Sequence, residues 1–316
     1  MKWLALLLAI PLIANDTFVT KGAGGLVPVK TSRIVMESED LEIGIHKITV
    51  NYVFRNDGDR DVDATVAFPL PEIDGGEMAN EPVALPSERA LNFVDFKVTA
   101  GSQPVAVQTE ARAFSYDGRE ITTRLLSFGL PISPIVENYK ALLDKLPLPT
   151  RKRLEKDGWI DCQSTPGTGC WAMWKARIQF YWTQHFKARS NVRVQHTYRP
   201  VVGGSYLAGT SNGAASDYCA GADALARIAR VRQNMSPGPN DTFMFERRIQ
   251  YILTTANNWR GPIGNFHLAV VADKPDDIVL TCTPGLSRVA PTRYELSRKD
   301  FHPDRELDLL ILQKNQ

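Results

Sequence analysis

Residues 45–70 read IHKITVNYVFRNDGDRDVDATVAFPL, and this stretch decides the fold. Apolar and polar residues alternate in two runs, one on each side of Asn56-Asp57-Gly58-Asp59. Alternation with a period of two is typical of a β-strand that buries one face. A cluster of Asn, Asp and Gly between two such runs is typical of a tight turn. The stretch therefore predicts a β-hairpin.

Further strands surround this predicted hairpin. Residues 91–98 and 105–112 alternate in the same way, so the first part of the chain predicts an antiparallel sandwich. A hydroxyl residue and a proline at 133–134 then begin a pattern of helical period. Strand patterns return after that segment. The sequence predicts a mainly β fold with two antiparallel β-sandwich-like domains, at 15–130 and 172–316, joined by a helical connector at 131–171. The second domain is expected to contain one inserted helix, at 218–233, which holds Cys219.

The N-terminus carries a targeting pattern. Lys2 precedes the apolar run WLALLLAIPLI at 3–13, which is shorter than the roughly 20 residues that span a bilayer. The run, its charge and the small Ala14 are typical of a secretory signal peptide. We therefore expect residues 1–14 to be removed before Asn15 and the protein to be periplasmic, without a transmembrane span. The alternative is a buried N-terminal helix.

The four cysteines favour disulfides over a metal site. Export places them in an oxidising compartment, where an even number of cysteines indicates disulfide bonds. Three pairings are possible. Cys162 and Cys170 flank the turn-rich segment QSTPGTG, which favours a small ring and leaves Cys219 with Cys282. The spacing C-x2-C that is typical of structural zinc is missing.

Composition and motifs argue against several classes of function. Lys plus Arg is 37 and Asp plus Glu is 35, so charge gives no indication of binding to nucleic acid or to an anionic membrane. The sequence lacks G-x-S-x-G, H-E-x-x-H and the phosphate-binding glycine loops. His46 and His196 fall in apolar columns, where core packing is the favoured interpretation. No cofactor is predicted, and an enzymatic role is not favoured.

The acidic turn is a weak candidate for a metal site. Calcium prefers oxygen ligands, and Asp57, Asp59 and Asp61 lie within five positions of one another. The glycine and the distant glutamate of an EF-hand loop are missing. A solvated turn is the favoured interpretation.

Aromatic residues near the short cysteine ring form the candidate binding site. Trp171, Trp174 and Trp182 lie close together in the sequence, and His185 follows them. If exposed, these side chains form a binding surface or line a pocket; if buried, they fill the core beneath the helical connector. The sequence favours burial and leaves both interpretations open.

Four segments resemble the bacterial domain of unknown function 4424 family, and together they extend over nearly all of the chain after residue 14. Asn15-Asp16 and Gly24-Gly25-Leu26 also fit the family pattern. The resemblance implies an exported bacterial protein with no assigned activity and no catalytic residues to transfer. The four segments are EDLEIGIHKITVNYVFRNDGDRDVDATVAFPLPEID, GREITTRLLSFGLPISP, FYWTQHFKARSNVRVQHTYRPVVGG and YILTTANNWRGPIGNFHLAVV.

The end of the opening stretch is similar to a second group. The sequence ATVAFPLP resembles the ending of a hairpin in vault and inter-alpha-trypsin type β-domains, which implies a sandwich and no activity. Two hypotheses for function follow. The leading one is a non-enzymatic periplasmic protein that binds an envelope protein or a ligand. The alternative is an envelope-acting hydrolase or small-ligand carrier with a pocket near the tryptophans.

Overall fold

A computed structural model describes the chain over residues 15–22, 25–80, 83–84, 86–87, 91–135, 139–162, 169–208, 213–235 and 242–314. The predicted signal peptide at 1–14 lies outside these ranges. So do Gly24 and most of the segment between Cys162 and Cys170.

Strands dominate the described chain. They are β1 Thr17–Gly22, β2 Gly25–Pro28, β3 Ile34–Gly44, β4 Ile48–Asn56, β5 Val62–Pro69, β6 Ile73–Asp74, β7 Val83–Ala84, β8 Lys97–Ala100, β9 Gln103–Val105, β10 Gln108–Ser115, β11 Ile160–Cys162, β12 Cys170–Ala172, β13 Trp174–Phe186, β14 Ser190–Tyr198, β15 Val202–Ala208, β16 Thr242–Tyr251, β17 Ile263–Val271, β18 Ile278–Leu280, β19 Ser287–Ala290, β20 Arg293–Phe301 and β21 Leu307–Lys314. The helices are α1 Gly75–Asn80, α2 Thr122–Ser127, α3 Tyr139–Lys145, α4 Leu148–Lys156, α5 Gly213–Asp217 and α6 Ala222–Met235, with a 3-10 helix at Thr254–Asn258.

Within the described residues these strands form four sheets. The six-stranded sheet has the order β10-β13-β5-β1-β2, with β6 paired to β13. The eight-stranded sheet has the order β19-β20-β17-β3-β4-β14-β8-β9, and the five-stranded sheet β18-β21-β16-β15-β7. Strands β11 and β12 pair separately. All of these pairings are antiparallel except that of β17 with β3. The predicted mainly β, antiparallel class is confirmed.

The opening stretch forms both predicted strands but not the predicted hairpin. Strand β4 pairs with β3 and β14 in the eight-stranded sheet, whereas β5 pairs with β1 and β13 in the six-stranded sheet. Both strands bury their alternate side chains in the same core. Facing sheets lie about 10 Å apart, a distance that the five residues 57–61 can span. The prediction was wrong because alternation identifies the buried face and not the neighbouring strand.

A second turn repeats this arrangement. Strands β13 and β14 follow each other in the chain, yet β13 pairs with β5 and β14 pairs with β4. Two strand–turn–strand arches are therefore stacked. We call the link at 57–61 the first arch turn and the link at 187–189 the second arch turn. The two turns meet at one end of the sandwich, where the N–H of Arg189 donates to the carbonyl oxygen of Gly58 at 3.0 Å.

The main core extends through most of the described chain. Its buried side chains run from Ile34 to Ile311. Each of the three larger sheets takes strands from both 15–130 and 172–316, so strand pairing joins the two predicted domains. Their boundaries stay a prediction. A second core lies among α2, α3, α4 and the β11–β12 pair, and includes Trp159 and Trp174.

Both expected disulfides are present. Cys162 is bonded to Cys170 across β11 and β12, and Cys219 is bonded to Cys282. Cys219 precedes α6 and has a φ of 56°, so it lies in a turn and not inside the helix expected there. No helix in the described part of the chain is long and apolar enough to cross a membrane.

Candidate ligand-binding cleft

The segment that follows β5 opens a cleft between the sheets. Residues 68–74, FPLPEID, run along β13 from the end of β5 to β6, and their two prolines remove two main-chain donors. They border a cavity of about 400 Å³. The remaining walls come from β4, β14, β15, β16 and the residues next to them. The lining comprises Ile48, Phe68, Leu70, Pro71, Glu72, Ile73, Asp74, Glu77, Phe93, Val94, Ile135, Tyr198, Pro200, Val201, Gly203, Tyr218, Arg248, Ile249, Gln250 and Asp308.

The floor of the cleft is aromatic and rigid. Phe68 is fully buried, and its ring stacks on Phe96 with centroids 4.7 Å apart. Tyr198 meets Phe68 edge-on at 5.3 Å. Both contacts are favourable ring geometries that hold the side chains in place. The floor therefore offers a fixed apolar surface with the Tyr198 side chain at its margin.

Two of the acidic residues in the lining are neutralised by neighbouring cations. Glu72 accepts from Lys175 Nζ at 3.0 Å and from Arg177 Nε at 2.8 Å. Lys175 also lies 3.4 Å from Asp74. Desolvation lowers the pKa of Lys175, but the hydrogen bonds and charges of Glu72 and Asp74 raise this pKa by more, so that it is raised overall. Glu72 and Asp74 thus fix the edge of the cleft and leave little unbalanced charge there.

Asp74 also positions helix α1 beside the opening. Its Oδ1 accepts from the main-chain N–H groups of Gly76 at 2.9 Å and Glu77 at 3.2 Å, and from the hydroxyl of Tyr116. Gly75 is needed here because a Cβ would lie 2.6 Å from the carbonyl oxygen of Ala172. Asp74 therefore both positions the start of α1 and lines the cleft.

The opposite wall carries further polar groups. Arg248 donates to Glu246 at 2.6 Å, whereas its Nε is buried and has no hydrogen-bond partner. Asp308 accepts from Gln250 at 3.0 Å. Tyr218 stands next to the Cys219–Cys282 disulfide, and an adjoining cavity of about 380 Å³ shares Tyr218, Gln250 and Asp308 with the cleft.

The sequence-predicted binding residues lie elsewhere. Trp182 is buried in the main core, and Trp174 is buried in the second core, where its indole N–H donates to the carbonyl of Ile132 at 2.8 Å. Trp171 is half-buried and lies under the ammonium of Lys140. His185 is exposed and contacts Asp61 and Asp63, and its hydrogen bond to Asp63 raises its pKa. None of the four lines the cleft, and their binding role stays a prediction.

The predicted calcium ligands lie in the first arch turn. Asp57 contacts Arg55 at 3.1 Å and also pairs with Arg260. Asp61 accepts from the main-chain N–H of Ala188 at 2.8 Å, and Asp59 is exposed. In the portion of the chain that the structure describes, no group of three or more His, Cys, Asp or Glu side chains is placed to hold a metal ion.

A buried polar cluster lies between the sheets, beyond Tyr198. Asn15 donates from its side-chain amide to both oxygens of Glu39, at 3.1 and 3.3 Å. Tyr251 donates to Glu39 at 3.2 Å and lies 3.1 Å from the hydroxyl of Tyr52. Tyr52 in turn donates to the side-chain oxygen of Asn15. All of these side chains are essentially inaccessible to solvent.

Burial shifts the pKa of the acidic and basic groups in this cluster. It raises the pKa of Glu39 to about 7, partly offset by the hydrogen bonds from Asn15 and Tyr251. Burial, reinforced by the charge of Glu39, also raises the pKa of Asp16 well above its usual range. Desolvation lowers the pKa of His196 to about 3, so this core histidine is neutral. His196 is buried as predicted, whereas His46 is exposed beside Asp273 because β4 begins two residues later.

Sequence reasoning missed both the cleft and the cluster. The signal for the cleft was the pair of prolines in FPLPEID, which interrupt the strand between β5 and β6. The signal for the cluster was a glutamate at an inward-facing position of β3, where a core residue was expected.

Fold and cleft together define a disulfide-linked, mainly β protein with a partly apolar cleft between its sheets. The particular family follows from the sequence. The chain belongs to the family Domain of unknown function (DUF4424), whose family model matches residues 14–310. The resemblance carried by the four segments is thereby confirmed.

The chain was also compared with curated proteins and with solved structures. No curated protein matches the sequence. Among solved structures, the chain is similar to the crystal structure of "a putative nutrient binding protein" from Legionella pneumophila. The two sequences are 18% identical, the TM-score is 0.46, and the match covers 90% of this chain and 68% of the other.

Proposed function

We propose that this protein is an exported, non-enzymatic binding protein that holds a small amphipathic molecule in the cleft beside residues 68–74. The observation that carries the proposal is the cavity of about 400 Å³ with its rigid aromatic floor and polar opposite wall. Small-molecule sites combine an apolar enclosure of this size with a few fixed polar groups. The two disulfides and the apolar run at 3–13 support export to the periplasm.

The lining indicates the chemical class of the ligand. Phe68, Phe93 and Val94 offer a surface that is complementary to an apolar ring or chain. The Arg248 side chain borders the cleft, is 36% exposed and carries a cation, which is complementary to an anionic end group. We therefore propose a ligand with an apolar body and one anionic end.

Binding is favoured over hydrolysis by the residue types at the cleft. None of the described residues in the lining is a serine, cysteine or histidine, so the hydroxymethyl and thiol nucleophiles and the imidazole base are missing there, and two of its carboxylates, Glu72 and Asp74, are paired with Lys175. Against the alternative of a hydrolase that acts near the tryptophans, Trp171, Trp174 and Trp182 line neither the cleft nor two smaller cavities in the described part of the chain. A partner protein of the envelope stays a second prediction.

Fluorescence of 1-anilinonaphthalene-8-sulfonate provides the test, because this probe has an apolar body and a sulfonate. We expect saturable binding with one site per chain. Val201 lines the cleft and is only partly buried, so Val201→Trp fills the cavity with little demand on the core. This substitution is expected to weaken probe binding at least about ten-fold.

Val202→Trp is the matched control. Val202 is also a partly buried valine, but it lines a different, shallow pocket on the other side of the strand. Its substitution is expected to leave probe affinity unchanged. Equal affinity of the Val201→Trp variant and the original protein would refute binding in the cleft, provided that both retain the same thermal unfolding transition.

A further inference from the structure

The first described residues of the chain are buried as deeply as its core. Asn15, Asp16 and Thr17 are all fully inaccessible, although they lie directly after the segment expected to be removed on export. Residues near a chain terminus are usually exposed unless specific contacts hold them. The burial of three polar residues at this point therefore needs a physical explanation.

Side chains of the 3-10 helix and of the residue after it bind residues 15–17 through hydrogen bonds. Thr255 donates to the carbonyl oxygen of Asn15 at 3.1 Å, and the indole N–H of Trp259 donates to the carbonyl oxygen of Asp16 at 2.7 Å. Asn258 donates to the hydroxyl of Thr17 at 2.9 Å. These three side chains belong to the 3-10 helix and its end, and they bind the polypeptide at 15–17 in one defined position.

The charges around this position do not balance. Asp16 and Glu39 are both buried, and neither oxygen of the Asp16 carboxylate has a hydrogen-bond partner. No lysine or arginine is among the buried side chains in the described chain. The imidazole of His196 lies close by, with Nε2 3.4 Å from Asp16, and its own nitrogens also lack hydrogen-bond partners. Two buried carboxylates without a cation are costly.

We propose that cleavage before Asn15 supplies the missing cation: the new α-ammonium group becomes the buried counter-ion of Asp16 and Glu39. Cleavage hydrolyses the Ala14–Asn15 peptide bond, with water giving a carboxylate on Ala14 and an amine on Asn15 that takes up a proton. The side-chain amide of Asn15 already contacts Glu39, and covalent geometry keeps the α-nitrogen within about 5 Å of that amide. Removal of the leader thus supplies one positive charge, which balances one ionised carboxylate while the other acid stays protonated.

The proposed ion pair makes the stability of the folded protein depend on removal of the leader. A chain that keeps residues before Asn15 has an uncharged amide at this position and leaves the two carboxylates to be protonated. A processed chain gains an ion pair in a water-excluded site, where such pairs are strongest. The processed chain is therefore expected to be more stable than a chain with any N-terminal extension.

Two purified forms test this proposal. One begins at Asn15 and the other at Gly-Ser-Asn15, each released from an N-terminal ubiquitin-like fusion by its protease under oxidising conditions. At pH 7 we expect the extended form to unfold at least about 5 °C lower. Glu39→Gln is expected to remove more than half of that difference. Glu37→Gln is the matched control, because Glu37 is partly exposed on the same strand and pairs with Arg55.

Equal unfolding temperatures of the two forms would overturn the proposal, as would a difference that persists in full in the Glu39→Gln variant. If that variant fails to fold, chemical labelling of the unmodified protein decides. The α-amine of Asn15 should react with acetic anhydride at pH 7 at least about ten-fold more slowly in the folded than in the unfolded protein. The exposed Lys21 is the internal control. Similar rates at the α-amine in both states would refute burial of the ammonium.

The exported protein provides an independent measurement. Its intact mass and N-terminal sequence, determined after expression of the full chain with its own leader, are expected to begin at Asn15. A mature chain that begins elsewhere would refute the proposal. Neither result depends on whether the cleft binds a ligand.

Discussion

The side-chain amide of Asn56 donates a hydrogen bond to the main-chain oxygen of Phe186 at 3.0 Å, joining the two stacked arches at their turns. The same amide donates to the carbonyl of Arg60 at 2.9 Å, and its oxygen accepts from Gly58 at 3.0 Å. Because Asn56 is buried, water cannot replace these bonds. A residue that the sequence places in a local turn therefore has a long-range role.

Asn56→Ala should destabilise the protein through this contact. The substitution leaves the Phe186 oxygen and the Gly58 N–H without their partner, at an expected cost of about 2–3 kcal/mol. Chemical denaturation measures this change. Asp59→Ala, at an exposed position of the same turn, is the control and should change stability by less than about 0.5 kcal/mol. Equal effects of the two substitutions would contradict the proposed role.

Glu39 should make stability depend on pH in any form that is extended before Asn15. Burial raises its pKa from 4.5 to about 7, so the protonated acid contributes stability that is fully present below about pH 4.5 and is lost as the pH rises through 7. Relative to Glu39→Gln, the extended protein should lose about 3 kcal/mol between pH 4.5 and 8.

Urea denaturation across this pH range measures the difference between the two proteins. The form that begins at Asn15 is expected to show a smaller loss, because the ammonium stabilises the ionised acid. A flat difference curve in the extended form would show that Glu39 is not desolvated as described.

Arg248 should set the preference of the cleft for anionic probes. Arg248→Gln is expected to weaken binding of 1-anilinonaphthalene-8-sulfonate about ten-fold, because the partly exposed guanidinium cation at the cleft is lost. The neutral analogue N-phenyl-1-naphthylamine, which lacks the sulfonate, should change less than about two-fold. Arg247→Gln is the control, since Arg247 lines the shallow pocket on the other side of the strand. If the affinities for both probes fell by the same factor, Arg248 would not be recognising the charge of the sulfonate.

The two disulfides should differ in their effects on stability and on the cleft. The Cys219–Cys282 bond closes a loop of 63 residues and Cys162–Cys170 one of 8. Loop-closure entropy gives about 4 and about 2.5 kcal/mol respectively. Paired Cys→Ser substitutions should follow this order in thermal unfolding. Only the loss of Cys219–Cys282 should weaken probe binding, because Tyr218 then loses its anchor beside the cleft. Equal probe affinity in both variants would place Tyr218 outside the site.

The sequence by itself determined the strands and their buried faces. The inward positions of Ile48, Val50 and Tyr52 follow from alternation, because side chains on a strand point to opposite faces in turn. Cysteine positions and turn-rich segments likewise indicated the disulfides. These properties depend on residues that are close together in the sequence, so a short stretch of sequence is enough to predict them.

Only the tertiary structure decided which strands pair and what meets between the sheets. Strand β4 lies beside β14 and not beside β5, because pairing depends on how distant segments share one core. The cleft unites Phe68, Tyr198 and Arg248, and the buried cluster unites Asn15, Glu39 and Tyr251. Residues separated this widely in the chain leave no periodic signal. Their charges and contacts are set by the burial of both sheets against each other.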